Sequence, residues 1–286
     1  MENSKKIVVP FDADDRSLKA LTYAAKLATG LGAHIIALHV FDADQFGSKA
    51  QFQTEFDHLI NKRLKPLLMR IGEAYPKVKK IQLQTLGKTH SLPRHIIEFA
   101  ATHQIDFIVM RSHGLADMND WERHFRTINA YQVVLEAQCP VFTFTETSTH
   151  PQLKHILVPI DLSDGSLFKV PLAVSLAQKF GACLHLLSAS EYKEDHEELQ
   201  EKLDNVRGQI ANEGVRLKSN PIFVGTLREA VQSYAKSTEI DLVTIMSRPG
   251  FRWSDIWVSP KAKRIISRSR VPVLSLRSKQ PFDPAI

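Results

Sequence analysis

Lys6-Ile-Val-Val-Pro-Phe-Asp12 and His155-Ile-Leu-Val-Pro-Ile-Asp161 are one phrase spelled twice in a chain of 286 residues. Pro10 and Pro159 stand 149 positions apart, as do Asp12 and Asp161. The same step pairs Ser17 with Ser166, Ala24 with Ala173, Leu27 with Leu176, Ala28 with Ala177, Gly32 with Gly181 and Leu38 with Leu187. A register held without a gap over such a stretch marks an internal repeat. The ends of the copies agree too: Gln138-Cys-Pro-Val-Phe-Thr-Phe144 answers Arg270-Val-Pro-Val-Leu-Ser-Leu276, now at a step of 132, so the second copy has lost residues in its middle. Thr145 to Gln152, rich in Thr, Ser and Pro, reads as a linker. Two domains follow, residues 1–146 and 153–279.

Each copy spells the same order of elements. Ile7 to Phe11 is a short, almost wholly apolar run, the pattern of a parallel strand buried on both faces. Asp14 or Asp15 is placed to cap the next helix, whose Leu18, Leu21, Ala25, Ala28 and Leu31 recur at helical spacing, and Gly30 and Gly32 are placed to end it. Ala33 to Phe41 is the next strand. Phe52, Phe56, Leu59, Leu67 and Ile71 outline a second helix, bent at Pro66. Strands at Lys80–Leu86, Asp106–Met110 and Pro140–Thr145 follow, with a helix from Pro93 to His103. In the second copy Leu199, Leu203, Val206 and Ile210 outline the long helix, and Pro171, where the first copy has Thr22, predicts a kink in the helix before it. Strands and helices alternating in this way make an α/β fold of two tandem, doubly wound, mainly parallel sheet domains.

Composition narrows the function. A 43% hydrophobic and 24% charged chain is globular, and no apolar run reaches the length that spans a bilayer. The apolar stretch behind Lys5 and Lys6 stops at Asp12, too soon for a signal peptide. Cys139 and Cys183 form neither a CxxC pair nor a disulfide framework, so the expected location is cytoplasmic, with no membrane partner. The net charge of +6 is concentrated at the end, with nine Lys/Arg between Arg248 and Lys279 against the single acid Asp255. Such an excess attracts phosphate. Trp253 and Trp257 precede the basic run Lys261–Arg270 rather than interleave with it, so a nucleic-acid partner is not expected.

In a doubly wound sheet, ligands bind outside the carboxyl ends of the strands. The residues there are Asp12 and Asp161 after the first strands, and the loops Met110-Arg-Ser-His-Gly114 and Met246-Ser-Arg-Pro-Gly250 after the fourth. Both loops lead to a helix beginning near Thr127 or Ser259, which makes an anion site. Either aspartate serves equally as a turn residue. Ser112 beside His113 lacks the acid and the elbow of a catalytic triad, and Gly87-Lys-Thr89 lacks the first glycine of a phosphate-binding loop, whose place Gln82 takes. His34 and His39 fall on opposite faces of a strand and His196-Glu-Glu198 is not HExxH, so no metal ligands and no catalytic residues are expected.

Taken together, the Pro-x-Asp strand ends, Asp106-Phe-Ile-Val-Met110 and Asp241-Leu-Val-Thr-Ile-Met246, the Ser/His/Gly loop, and the closing segments from Asn129 and Ser259 resemble the universal stress protein (UspA-like) family in its tandem form. The resemblance covers nearly the whole chain. It implies an adenine nucleotide α-hydrolase-like, Rossmann-like fold with the copies related by a pseudo-twofold, Pro140–Thr145 and Pro272–Leu276 pairing across it. The internal pair imitates a homodimer, and the chain is free to self-associate again or to bind a protein partner. One subset of the family binds ATP and another lacks nucleotide. In binders, an aspartate matching Asp12 or Asp161 faces the adenosine, and backbone near Val40 and Ala189 meets the base. The phosphates rest on a loop of glycines closed by Gly-Ser/Thr.

By that pattern the contacts in the first copy are Met110, Ser112, Gly114, Thr127 and Asn129, and in the second Met246, Ser247, Gly250, Ser259 and Lys261. Arg111 and Ser247 stand at the first glycine, Thr127-Ile128 and Ser259-Pro260 at the closing pair. Lys261 supplies a compensating point charge. The expectation is a non-catalytic stress-response or regulatory protein with degenerate nucleotide-type pockets, sensing ATP or a related adenine nucleotide, with Mg2+, through the second copy. The alternative is a scaffold that binds no nucleotide and acts through protein partners. A nucleotide hydrolase and a nucleic-acid binder are the remaining classes, and the first needs a metal clamp and a water-positioning group that the sequence does not spell.

Overall fold

The structure is a computed structural model and describes residues 4–11, 15–41, 49–78, 80–87, 91–112, 130–145, 148, 153–219, 222–247 and 271–277. The chain folds as two compact units, one built on each copy.

In the first unit β1 (Lys6–Pro10), β2 (His34–Phe41), β3 (Lys80–Gly87), β4 (Phe107–Arg111) and β5 (Val141–Phe144) lie in the order β3-β2-β1-β4-β5. β1 pairs in parallel with β2 and β4, and β2 with β3. Ile108 N donates to Pro140 O and Ser112 N to Phe144 O, which ties β5 beside β4. Ile7, Val8, Val9, Ile35, Ala37, Ile108 and Val109 are fully buried. Burial of such side chains, about 1.5–3 kcal/mol each, is why the apolar runs become strands covered on both faces.

Among the described residues the helices that connect them are α1 (Asp15–Leu31), α2 (Lys49–Leu59), α3 (Lys65–Ala74), α4 (Leu92–Thr102) and the short α5 (Ala130–Glu136). Leu21, Ala25 and Ala28 of α1 are buried as their spacing predicts. Gly30 lies inside that helix; the chain leaves it at Gly32, whose φ of 62° is the left-handed conformation an L side chain resists. The bend expected at Pro66 takes the form of a π-helical turn over Ile60–Leu64, after which the proline sits in the first turn of α3, where its missing N–H costs nothing.

The second unit repeats the plan. β6 (His155–Ile160), β7 (Cys183–Ser190), β8 (Arg216–Ser219), β10 (Leu242–Ser247) and β11 (Val273–Arg277) lie in the order β8-β7-β6-β10-β11, and β9 (Phe223–Val224) pairs with the far end of β7. Its helices are α6 (Val170–Phe180), α7 (Asp195–Ala211) and α8 (Leu227–Ser237). Leu199, Leu203, Val206 and Ile210 form the buried stripe of α7, as read from the sequence. The kink expected at Pro171 is corrected: α6 begins there, after a 3-10 turn over Asp164–Leu167, so the proline occupies a first-turn position and breaks no hydrogen bond. Gly181 ends α6 with the same φ of 62° as Gly32.

One clamp recurs in both units. Asp106 Oδ2 accepts from Lys6 N at 2.8 Å while Asp106 N donates to Lys6 O at 3.0 Å. Asp241 Oδ2 accepts from Lys154 N at 2.8 Å and His155 N at 2.9 Å, and Asp241 N donates to His155 O at 2.9 Å. These bonds set the register of the fourth strand on the first. Among the described residues no helix is long and apolar enough to cross a membrane.

Candidate functional site

Strand order reverses at β1/β4 in the first unit and at β6/β10 in the second, so the crevice for a ligand lies at the carboxyl ends of those pairs. In the first unit the polypeptide reaches that edge at Phe11, whose N donates to Leu38 O at 2.8 Å and whose carbonyl meets His39 Nδ1 at 2.8 Å. In the second, Ser188 Oγ donates to Ile160 O at 2.7 Å. His39 and Ser188 are 149 positions apart; two different side chains thus tie down the last carbonyl of the first strand.

Asp161 follows β6 at once. Its Oδ1 accepts from Ser163 N at 2.9 Å and from the Ser163 hydroxyl, which makes the local turn; its carbonyl accepts from Ser166 Oγ at 2.9 Å. Oδ2 has no partner among the described residues. Lys202 of α7 donates from Nζ to Ser163 O at 3.0 Å, and the buried Lys169 donates to Ser166 O at 2.6 Å, so two ammonium groups hold the loop that carries Asp161. Ser190, at the end of β7, donates to Asp195 Oδ2 and accepts from Tyr192 N. Sequence spacing gives no sign of Lys202, Lys169 or Ser163: each acts on a main-chain carbonyl or turn, and nothing periodic marks such contacts.

Val40 and Ala189 sit half-buried near the ends of β2 and β7, Ala189 in register with Phe223. Met110 is buried in the core and Met246 half-buried. Asp12, Gly114, Thr127, Asn129, Gly250, Ser259 and Lys261 lie outside the described residues, as does the basic run from Lys261 with Trp253 and Trp257.

The pairing of Arg111 with Ser247 at one loop position is corrected by the strand register. Ile7 faces Phe107 and Ile156 faces Leu242, which makes Ser112 the counterpart of Ser247 and Arg111 that of Met246. Hydrogen bonding agrees: Ser112 Oγ donates to Phe144 O and Ser247 Oγ to Leu276 O, each at 3.1 Å. Both hydroxyls are buried and join the fourth strand to the fifth.

At the opposite, amino-terminal end of the second sheet the register brings together three groups that sequence spacing left apart. His155 faces Cys183 and Leu157 faces His185, so one face of β6 and β7 carries all three side chains. His155 Nδ1 lies 3.0 Å from His185 Nε2, and the ligand atoms of His155, Cys183 and His185 all fall within 4.8 Å of one another. His185 Nδ1 is 2.8 Å from Tyr234 Oη of α8. Burial, then the neighbouring His155 and Lys218, lower the pKa of His185 to about 4, so its imidazole is neutral at pH 7. The signal in the sequence is Cys-Leu-His at alternate positions of a strand, one pairing step from a histidine that opens its neighbour.

These features define a class: a doubly wound parallel α/β domain of the nucleotide-binding type, present twice in one chain. The universal stress protein family model matches residues 3–144 and again 152–277, so the chain belongs to the universal stress protein family in tandem form. A universal stress protein of Methanocaldococcus jannaschii is 35% identical over 145 residues, 48% of this chain and 79% of that protein. The crystal structure of a universal stress protein from Archaeoglobus fulgidus is 19% identical with a TM-score of 0.73, over 96% of this chain and 99% of that one. A protein of Pseudomonas aeruginosa described as functionally unknown is 17% identical with a TM-score of 0.59, over 96% and 93%.

Proposed function

We propose that the protein is a cytoplasmic regulatory member of the universal stress class that senses ATP or a related adenine nucleotide through its second copy, residues 153–279, without turning it over. The observation that carries this reading is the loop after β6. A carboxylate at the point of strand reversal is held by one oxygen in a turn with Ser163, its second oxygen has no partner among the described residues, and Lys202 braces the same turn. That donor set suits a nucleotide: Asp161 accepts from ribose hydroxyls, main chain near Ala189 meets the base, and the phosphates bring Mg2+ and rest toward Gly250, Ser259 and Lys261. The first copy, residues 1–146, serves structure, with the bulky Arg111 closing β4 where the second copy has Met246.

A second reading, a scaffold that binds no nucleotide and works through protein partners or self-association, draws support from Ser112 and Ser247. Both hydroxyls are spent on strand carbonyls rather than held for a ligand. Native mass spectrometry with and without ATP and magnesium separates the two. The sensor gains the mass of one nucleotide and loses it in Ser259→Trp; no added mass at millimolar ATP supports the scaffold. Phosphate release at the rate of a protein-free blank is the expected result for a protein without turnover.

A further inference from the structure

We propose that His155 Nδ1, His185 Nε2 and Cys183 Sγ form a binding site for a zinc-class divalent transition-metal ion on the second copy, at the end of its sheet opposite the nucleotide crevice. The donors are of the right kind: two imidazole nitrogens and one sulfur suit a borderline-soft ion and not magnesium or calcium, which take oxygen ligands. Their spacing is near what such an ion needs. Metal–nitrogen bonds of about 2.0–2.1 Å at a tetrahedral angle put the nitrogens about 3.3 Å apart. The two imidazole nitrogens stand 3.0 Å apart, with the sulfur in the same 4.8 Å cluster. Small side-chain rotations therefore open the site around an ion.

The surroundings are those of a built site. Tyr234 Oη lies 2.8 Å from His185 Nδ1, and in the tautomer that carries its proton on Nδ1 the phenol oxygen accepts it and the Nε2 lone pair is directed at His155. Histidine ligands are oriented through their other ring nitrogen in this way. His155 is fixed through its backbone by Asp241, and α8, which carries Tyr234, is fixed by a reciprocal cap between Thr226 and Glu229. Cys183 and His185 are buried while His155 is half-buried, so a fourth coordination position opens on the His155 side, to water. On binding, Cys183 gives its thiol proton to solvent and the thiolate cancels one of the ion's two charges. Lys218, in register with His185 on β8, adds a positive charge that opposes the ion, so the Cys183 thiolate is the group that offsets it.

The simpler assignment is a hydrogen-bonded His–His–Tyr chain filling the core. It accounts for the two imidazoles and the phenol but gives the sulfur no role: among the described residues its one hydrogen bond is a 3.6 Å contact with Leu184 O. The fold does not require the cluster either, since the corresponding positions of the first copy are Lys6, His34 and Ile36. The site stands independently of the nucleotide reading.

The test is titration of the metal-free full chain with Co2+, a spectroscopic stand-in for zinc. One equivalent should produce a thiolate-to-cobalt charge-transfer absorption in the near ultraviolet, discharged by one equivalent of Zn2+. Cys183→Ser should abolish the band, His155→Asn should weaken binding by at least about tenfold, and Cys139→Ser should change nothing. Absence of the band with the folded wild-type chain, its survival in Cys183→Ser, or its loss in Cys139→Ser would overturn the proposal. Should Cys183→Ser fail to fold, X-ray absorption at the zinc edge of the wild-type protein decides: one sulfur with three nitrogen or oxygen ligands, two of them imidazoles, supports the site, and a shell without sulfur refutes it.

Discussion

Asp241 and Asp106 each hold the amino end of a first strand through a carboxylate and a backbone bond. Asp241→Ala strands two N–H groups at once, at a cost of about 1.5–3 kcal/mol for bonds to a charged acceptor. Asp241→Asn, which keeps an acceptor oxygen, should recover most of that in a denaturant titration; equal losses in the two variants would remove the clamp from the account. Cys139 gives a second residue-level prediction. Burial of its sulfur, with the Asp106 carboxylate adding to it, pushes the thiol up to about 12. At pH 8 this cuts the thiolate on the order of a thousandfold. In a Cys183→Ser background Cys139, half-buried and with its thiol held protonated, should react with a disulfide reagent far more slowly at pH 8 in the folded chain than in guanidinium.

What the sequence disclosed at this scale follows a physical line. Asp161 was legible as a residue placed after a strand, because the apolar run ends at it. Its bond to Ser163 and the brace from Lys202 were not, because contacts to main chain leave no pattern in composition. The match of Ser112 with Ser247 was hidden by setting Met110 against Met246; the pairing of β1 with β4 and β6 with β10 restores the step of 135 that Asp106 and Asp241 already share. The His155–Cys183–His185 cluster stayed hidden because its members meet across strands, where register and not spacing decides contact.

Among the elements, the helix ends show most clearly how local sequence becomes structure. α6 closes with Ala182 N donating to Ala177 O at 2.9 Å past a left-handed Gly181, and α1 closes alike with Ala33 N on Ala28 O at 3.0 Å past Gly32. A Cβ on Gly181 would meet nothing within 4 Å, so Gly181→Ala isolates the backbone cost, about 1–2 kcal/mol. A neutral result would mean the residue does not hold the left-handed conformation in solution.

At the start of α8, Thr226 Oγ1 accepts from Glu229 N while Glu229 Oε2 accepts from Thr226 N. Thr226→Ala should cost about 1 kcal/mol and speed amide exchange in the first turn of α8. Bonds from Thr226 hold the Glu229 carboxyl below its ordinary pKa. A lowered carboxyl pKa stabilises above the unfolded value and stops doing so as pH falls through the folded one, so in acid the first turn of α8 should lose the support of this cap. The difference between wild type and Thr226→Ala should then shrink. The order of elements was legible because buried parallel strands are almost pure apolar runs; of the two prolines, Pro66 follows a π-helical turn in a helix that runs on, while Pro171, read as a kink, proved to open its helix, since a proline marks a first turn as readily as a kink.

At the scale of the whole molecule, the chain is a duplication whose halves kept one frame and diverged in chemistry. Clamp, glycine ends, strand order and the serine at the close of the fourth strand recur; the sulfur–imidazole cluster is spelled in the second copy alone. Family membership was readable from the doubled phrase with which each copy opens, because a buried strand ending in Pro-x-Asp tolerates little change, and the family match to both halves agrees with it. The proposed function adds an asymmetry between the halves, in which the second copy senses nucleotide and the first supports it. Calorimetric titration with ATP and magnesium of the wild-type chain, Asp12→Ala and Asp161→Ala measures it directly. The account predicts one nucleotide per chain, retained by Asp12→Ala and lost by Asp161→Ala; two nucleotides, none, or loss confined to Asp12→Ala would contradict it.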